Sequence, residues 1–199
     1  MITPVLFENK KDCCACGACL NICPKQAISM HEDEYGFIYP VVDEKLCIGC
    51  GACKKDCSYQ NKDETNVPLE CYAAVSKNKD QAKRSASAGI FSALATKTLL
   101  NGGVVYGAAF DKAWNVNHIS IGSADELYKL QGSKYTQSNT GKTFSEVKKA
   151  LIEGKNVLYS GTPCQIAGLK GFLGKDYNNL LTVDIVCHGV PNNKMFKEY

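Results

Sequence analysis

The sequence lacks an apolar stretch long enough to cross a bilayer. Its longest run without Asp, Glu, Lys or Arg covers the 14 residues 156–169, and glycine and proline interrupt that run. The N-terminus also lacks the apolar core of a secretory signal, since Pro4 and Glu8 stand where that core would lie. Arginine is nearly absent, with one Arg against 22 Lys, which we interpret as genome bias and not as chemistry. We therefore expect no membrane segment and no export signal.

Composition and its change along the chain predict two folded domains. Of the 199 residues, 45% are hydrophobic and 22% are charged, which excludes wholesale disorder. The chain is rich in Cys and Gly up to about residue 60, passes through a polar segment that ends in proline, and then becomes rich in apolar segments punctuated by glycine. We expect domains at 1–60 and 69–199, joined by a linker at 61–68.

The cysteines carry the main chemical signal. Nine of the twelve lie between Cys13 and Cys57, in two copies of the spacing C-x2-C-x2-C-x3-C offset by 34 residues. This is the bacterial ferredoxin pattern for two 4Fe-4S clusters, in which the fourth cysteine of each copy ligates the other cluster. The predicted ligands are Cys13, Cys16, Cys19 and Cys57 for the first cluster, and Cys47, Cys50, Cys53 and Cys23 for the second.

Other uses of these cysteines fit less well. Disulfides are typical of short secreted chains, and structural zinc prefers two C-x2-C pairs separated by a longer loop. Cys14 has Ile48 as its counterpart in the second copy, so we expect a small packing residue there. With two clusters bound, the formal net charge of +3 falls to about −1, so it gives no argument for binding nucleic acid. The lysine pairs 10–11 and 54–55 could dock an acidic carrier or form a solvated face.

The second domain alternates between strand and helix patterns, which predicts an α/β sheet that is at least partly parallel. A hairpin is also expected between the cysteine repeats, from strands at 27–31 and 37–42. The chain ends in what reads as the start of a helix from Pro191, without a stop signal, so we expect a fragment of a longer protein. The predicted strands are 72–76, 104–110, 117–121, 157–160 and 181–186, and the predicted helices are 88–100, 144–152 and 163–173.

Two later cysteines follow predicted strands. Cys164 falls in the first turn of a helix after one strand and Cys187 follows the last strand, so both are expected at the carboxyl edge of the sheet, where functional groups gather. Cys71 begins its strand and is expected at the opposite edge. Cys164 and Cys187 could be ligands of a third cluster, a redox pair or buried thiols. Segment 85–89 could hold a phosphate at a helix N-terminus or provide an ordinary serine cap.

A two-cluster ferredoxin segment followed by SASAG (85–89), GSKYTQS (132–138), GTPCQ (161–165) and VDIVCHG (183–189) resembles the coenzyme F420 hydrogenase/dehydrogenase beta-subunit family, in a form with an N-terminal ferredoxin domain. The resemblance implies an α+β chain, in which the ferredoxin domain precedes an α/β domain with a mixed sheet that binds FAD, and from which the family's C-terminal portion is absent. The residues it implies for the flavin site are Ser85, Ser87, Gly89, Gly132, Ser133, Lys134, Tyr135, Gln137, Ser138, Gly161, Thr162, Pro163 and Gln165.

The function implied by this resemblance is that of an iron–sulfur flavoprotein oxidoreductase. Electrons would pass between the clusters and FAD, with hydride exchange to a deazaflavin or another reducible substrate, and no catalytic residue is assigned. The competing class is a ferredoxin-like electron-transfer subunit with no active site of its own. Expected partners are a redox protein, either a ferredoxin-like carrier or another oxidoreductase subunit, and a small-molecule hydride donor or acceptor. Oxygen-sensitive clusters and the lack of a signal predict a cytoplasmic location.

Overall fold

The computed structural model describes residues 4–61 and 67–199, so most of the predicted linker at 61–68 lies outside the described residues. Within those two ranges, none of the helices is long and apolar enough to cross a membrane. The described residues form a two-stranded sheet in the N-terminal part and a four-stranded sheet in the C-terminal part. This is a mixed α/β architecture, as the alternating sequence patterns predicted.

The N-terminal part is built from the two cysteine repeats and the hairpin between them. Each repeat forms a short helix directly after a glycine with positive φ, which is 85° at Gly17 and 73° at Gly51. The hairpin is antiparallel, as predicted, and pairs Ile28 with Val42 at one end and Glu32 with Ile38 at the other. In chain order these elements are α1 (Ala18–Ile22), β1 (Ile28–Glu32), β2 (Ile38–Val42) and α2 (Ala52–Lys55).

The C-terminal part folds around a sheet with the strand order β4-β3-β5-β6. Strands β3 and β4 are antiparallel neighbours, whereas β3, β5 and β6 run parallel, so the sheet is mixed. A 3-10 helix, Ala124–Lys129, lies between β4 and α5. The elements are α3 (Lys79–Lys83), α4 (Ile90–Leu100), β3 (Val104–Phe110), β4 (Val116–Ile121), α5 (Thr143–Ile152), β5 (Val157–Gly161), α6 (Pro163–Leu173), β6 (Leu180–Asp184) and α7 (Asn193–Glu198).

Helices cover both faces of this sheet, and each face has its own core. Alternation along β5 sends Leu158 toward α4 and the 3-10 helix, and Tyr159 toward α5 and α6. Both side chains are fully buried, and Phe144 of α5 packs edge-on against the Tyr159 ring. Ala18 of α1 belongs to the core under α5 and α6. The cluster-binding part is therefore packed directly onto the sheet domain.

Several predicted boundaries are wrong. The expected strand 72–76 does not form, because its apolar side chains find no face to cover: Tyr72 is 78% and Val75 67% exposed. Cys71 consequently starts no strand and lies exposed. Helix α4 begins two residues later than expected because Ala88 and Gly89 both have positive φ. Strand β6 ends at Asp184, two residues early, so Cys187 lies in the following loop.

Candidate metal centres and flavin-site segments

The first predicted cluster set is assembled from both repeats. The thiol of Cys13 lies close enough to interact electrostatically with Cys16 of its own repeat and with Cys57, the last cysteine of the other repeat. Burial raises the pKa of Cys13 to about 11 and the pKa of Cys19 to about 12, and the neighbouring thiols add to both shifts. A bound metal centre would supply the positive charge that stabilises the thiolates of such buried cysteines. Four thiols drawn from both repeats are the kind of donor set that an iron–sulfur cluster needs.

The second predicted set lines one cavity. Its concave space is about 350 Å³, counting the part open to solvent, and its other walls are mostly apolar, including Ala27, Ile28 and Val42. Burial also raises the pKa of Cys53, with further contributions from the thiols of Cys50 and Cys23. The cysteines around this cavity are Cys23, Cys47, Cys50 and Cys53. One cysteine of the first repeat thus joins three of the second, which is the crossed grouping that the ferredoxin spacing predicts.

The two cysteine repeats also have the same local backbone conformation. The amide of Ala15 donates to Cys13 Sγ at 3.4 Å, and the equivalent amide of Gly49 donates to Cys47 Sγ at 3.4 Å. Both donors have positive φ, 53° at Ala15 and 66° at Gly49, which turns the N–H toward the sulfur. Hydrogen bonds of this kind stabilise a thiolate and tune the potential of a cluster that it ligates.

The alternatives of zinc and disulfides find less support in this geometry. All twelve cysteines are free thiols. Within residues 4–61 and 67–199, no three His, Cys, Asp or Glu side chains form a group placed to hold a single metal ion. The thiols of the second set line one cavity, which suits a cluster with several irons.

Cys14 and Cys164 meet at the border between the two parts. The thiols of Cys16 and Cys164 are neighbours of Cys14 and raise its pKa, and burial adds to that shift. Cys164 lies in the first turn of α6, with its Sγ 3.1 Å from Thr162 Oγ1. The contact with Cys14, followed by that with Thr162, lowers the pKa of Cys164 to about 6. Cys14 is half-buried beside the thiols of Cys16 and Cys164, and its role as a small packing residue stays a prediction.

Cys187 lies at the same sheet edge as Cys164 but is exposed. Gly161 pairs with Asp184 across β5 and β6, and each of the two cysteines follows its strand by three residues. The amide of Gly189 donates to Cys187 Sγ at 3.3 Å, the same i+2 arrangement that Cys13 and Cys47 show. Cys164 itself has Cys14, Cys13 and Cys16 of the first repeat as neighbours, besides Thr162. A shared site for Cys164 and Cys187 stays a prediction.

The first two segments expected around a flavin are linked by hydrogen bonds. Ser85 Oγ lies 2.8 Å from Ser92 Oγ on α4, and Gln131 Nε2 donates to the same Ser92 oxygen at 3.1 Å. Ser85 also donates to Gln81 O, so the serine cap that we weighed for α4 is wrong: the N-cap of this helix is Gly89, with no side-chain cap among the described residues. Its first N–H groups are left for another acceptor, which suits a phosphate.

Lys134 is held within its own loop. Its Nζ donates to Gln131 O at 2.8 Å and to Lys129 O at 3.1 Å, at the end of the 3-10 helix. Burial lowers its pKa to about 8. The other predicted flavin residues that are exposed are Ser87, Gly132, Ser133, Tyr135 and Pro163.

Gln137 turns away from this edge and bonds to the hairpin instead. Its Oε1 accepts from Ile38 N at 2.9 Å and its Nε2 donates to Ile38 O at 3.4 Å, so its side chain extends the edge of β2. The structure thus gives Gln137 a role in joining the two parts of the chain.

His118 ties the second and third flavin segments together, and sequence reasoning missed it. Its ring accepts or donates at both nitrogens: Nδ1 lies 2.7 Å from Ser138 Oγ and Nε2 lies 3.0 Å from Ser160 O. Gln165 adds a second link, since its Nε2 donates to Ser138 O and its Oε1 accepts from Thr162 N. Period-two alternation from Val116, which puts residue 118 on the buried side of β4, was the available signal.

Comparison with protein-family models identifies two kinds of domain along the chain. Residues 12–61 match the model of a 4Fe-4S dicluster domain. Residues 71–145 match the N-terminal model of the coenzyme F420 hydrogenase/dehydrogenase beta subunit, and residues 154–199 match the C-terminal model of the same subunit. Together the two beta-subunit models match more than half of the chain. The chain belongs to the coenzyme F420 hydrogenase/dehydrogenase beta-subunit family. The dicluster match supports two 4Fe-4S clusters in this family member.

The beta-subunit models correct one expectation from the sequence. We expected the family's C-terminal portion to be absent, whereas residues 154–199 match its model. The expectation failed because the residues matched by the two models form one sheet: β3 from the N-terminal model pairs directly with β5 from the C-terminal model. The alternating pattern of strands and helices therefore continues without a break where the two models meet, so it does not mark their boundary.

Two relatives of this family member illustrate the likeness. A coenzyme F420-dependent sulfite reductase from Methanocaldococcus jannaschii is 30% identical over 188 residues, covering 90% of this chain and 28% of its own length. A solved structure of the F420-reducing NiFe hydrogenase complex from Methanosarcina barkeri, derivatised with xenon, aligns with a TM-score of 0.49 at 22% identity. That alignment covers 62% of this chain and 46% of the solved chain. The chain thus spans less than half the length of either relative.

Proposed function

We propose that this chain passes electrons between two 4Fe-4S clusters and FAD, as part of an iron–sulfur flavoprotein oxidoreductase that exchanges a hydride with a deazaflavin or another reducible substrate. The observation that carries the proposal is the position of the first cluster loop. Cys16 packs so closely on α6 that a methyl group at Gly168 would lie 2.7 Å from its sulfur. Helix α6 begins at the GTPCQ segment, so the first cluster would lie beside the proposed flavin edge.

The residues that would hold the clusters are the two crossed cysteine sets. Cys13, Cys16, Cys19 and Cys57 would bind the first cluster, and Cys47, Cys50, Cys53 and Cys23 the second. When bound, the clusters would supply single-electron transfer. The chain's own contribution is to bury the sulfurs, to donate the N–H bonds from Ala15, Gly49 and Ala27, and to limit the access of water to Cys53.

The residues that would hold FAD lie along the carboxyl edge of the sheet. The uncapped start of α4 would accept a phosphate, and the exposed side chains of the 132–138 loop would contact the rest of the cofactor. Flavin exchanges electrons singly or in pairs, which is the chemistry needed between one-electron clusters and a hydride. The chain positions this edge through His118 and Gln165, which fix the loop against the end of β5. Cys164 and Cys187 could serve a further cluster there.

Cofactor analysis of anaerobically purified protein tests this proposal. We expect about eight iron and eight acid-labile sulfide per chain for two clusters, together with one FAD. About twelve of each would add a third cluster at Cys164 and Cys187. Clusters without flavin would favour the competing class, a ferredoxin-like subunit with no active site. A colourless protein that holds zinc would contradict electron transfer altogether.

The second cluster site offers the face where a redox partner would dock. Cys50 is exposed and Lys25 lines the cavity of the second set, whereas Cys16 of the first set packs against α6. Lys55, in the last turn of α2, is also exposed. We propose an acidic carrier or subunit as the partner, since lysines around a redox site steer such a protein by long-range attraction. The cytoplasmic location inferred from the sequence stays a prediction.

Reversing the charge of this face is expected to slow its reduction by such a carrier. In the double variant Lys25→Glu, Lys55→Glu, the second-order rate with a reduced acidic two-cluster ferredoxin should fall by about tenfold or more at low salt. The loss should shrink as ionic strength rises, since screening weakens attraction between exposed charges. Stopped-flow absorbance measures the rate. The variant Lys97→Glu, Lys149→Glu, with the same charge change on helices α4 and α5, should react as the native chain does, and an equal loss there would contradict the docking site.

A further inference from the structure

The two cysteine repeats share the cysteine spacing but lie in different surroundings. At Gly17 in the first repeat, a Cβ atom would overlap Thr140 Oγ1 of the second part of the chain. At the equivalent Gly51, a Cβ would meet no atom within 4 Å among the described residues. Asn21 in the first repeat corresponds to the exposed Lys55 in the second. The first repeat is therefore fitted to the sheet domain and the second faces outward.

Asn21 makes hydrogen bonds to both the cysteine repeat and the sheet domain. Its Nδ2 donates to Gly17 O at 2.9 Å within its own loop and to Gly141 O at 2.8 Å in the second part. Its Oδ1 accepts from Ser145 N at 3.1 Å and from Ser145 Oγ at 2.9 Å. One amide side chain thus uses both its donor and its acceptor across the junction.

The contact with Ser145 also supplies the side-chain cap that helix α5 lacks. The residue at the cap position of this helix is Lys142, whose side chain has no acceptor to offer the first N–H groups. Asn21 Oδ1 takes the N–H of the third helical residue, which is the bond that an N-cap asparagine normally makes. Lys142 in turn donates through Nζ to Leu20 O on α1. Thr140 Oγ1 donates to Cys16 O, next to the first cluster site.

We propose that Asn21 is a positioning residue that caps α5 from the cluster-binding part and thereby holds the first cluster loop at a fixed place on the sheet domain. The proposal rests on the proposed function in one respect, namely that the first cysteine set binds a cluster. With Asn21 in this role, the first cluster would lie against the sheet domain, beside α6. The second cluster would lie on the side that faces outward. The linker between the parts is then not what sets the distance between the clusters and that edge.

Hydrogen exchange of the cluster-loaded protein, read by mass spectrometry, tests this role. In Asn21→Ala we expect amide exchange to speed up about tenfold both at the start of α5 and in the loop 13–23, as loss of a cap and of two further bonds implies. In Asn21→Asp the carboxylate still accepts from Ser145 but cannot donate to the carbonyls of Gly17 and Gly141. That variant should keep α5 protected and loosen the loop alone.

A matched control lies at the other end of the same helix. Asn179 Nδ2 donates to the carbonyls of Leu151 and Lys155, at the C-terminal end of α5, within the sheet domain. In Asn179→Ala, exchange should rise around residue 151 and stay unchanged in 13–23. If Asn179→Ala loosens the loop equally, or if Asn21→Ala leaves it protected, Asn21 does not position the loop. A preparation with clusters but no FAD gives the same readout, so failure of the flavin proposal would be recognised separately.

Discussion

Alanine at Gly168 should remove one cluster and leave the other in place. Gly168 lies inside α6, where a change from glycine to alanine ordinarily stabilises a helix by about 1 kcal/mol. Here the added methyl group would lie 2.7 Å from Cys16 Sγ and 3.1 Å from Cys16 Cβ. Overpacking of this kind costs about 1–3 kcal/mol, and it falls on a predicted ligand of the first cluster. The iron and sulfide content should therefore drop from about eight to about four per chain.

Metal analysis and the visible absorbance of the anaerobically prepared variant measure this loss. The control is Gly122→Ala, because a Cβ at Gly122 meets no atom within 4 Å in the described part of the chain and its φ is not positive. That variant should keep its full iron content. If Gly168→Ala retains about eight iron and melts at a higher temperature, Cys16 is free to move, and the first cluster does not depend on its contact with α6.

The cluster-binding part was the most predictable region, because its signals are local. The spacing of the cysteines acts within one repeat and the turn of the hairpin acts between two adjacent strands, and the hairpin pairs as expected. The crossed ligand sets stay a prediction from the ferredoxin pattern, and the grouping of Cys23 with Cys47, Cys50 and Cys53 around one cavity supports it.

The junction between the two parts could not be predicted. Asn21 and Ser145 are 124 residues apart, and no pattern in either segment indicates the other. The same holds for Gln137, which we assigned to the flavin edge from its motif and which bonds to Ile38 of the hairpin. A motif gives the neighbours of a residue along the chain, whereas the direction of a side chain depends on which elements pack beside it. Residue 137 could therefore be identified as important but not assigned its contact.

Strand 72–76 failed for a related reason. Its apolar residues match a strand pattern, yet a strand also needs an edge to pair with and a face to cover. Strands β4 and β6 form the two edges of the sheet, and segment 72–76 pairs with neither. Among the described residues, its backbone hydrogen bond is from Ser76 N to Ala88 O. Pairing is a property of the whole sheet, so local composition could not decide it.

Acid is expected to destabilise the folded protein through His118. Burial lowers the pKa of this imidazole to about 4, against about 6.5 in an unfolded chain. Since a carbonyl can only accept, Nε2 carries the proton toward Ser160 O, and Nδ1 accepts from the Ser138 hydroxyl. The folded state keeps the neutral ring, whereas the unfolded state binds a proton as the pH falls below 6.5. Stability from this group is complete above pH 6.5 and declines toward pH 4, with about 2 kcal/mol lost by pH 5.

Urea unfolding of the native chain and of His118→Asn, at pH 7 and at pH 5, isolates this contribution. Asparagine can still accept from Ser138 but loses the bond to Ser160 O, so the variant should be less stable by about 1–3 kcal/mol at pH 7. It should also lose the part of the pH dependence that belongs to the imidazole, which the carboxylates common to both proteins cannot mimic. His31→Asn, at an exposed position on β1, should unfold as the native chain does at both values. An unchanged pH slope in His118→Asn would mean that the ring is not held neutral between Ser138 and Ser160. In that case it could not fix the 132–138 loop against the end of β5.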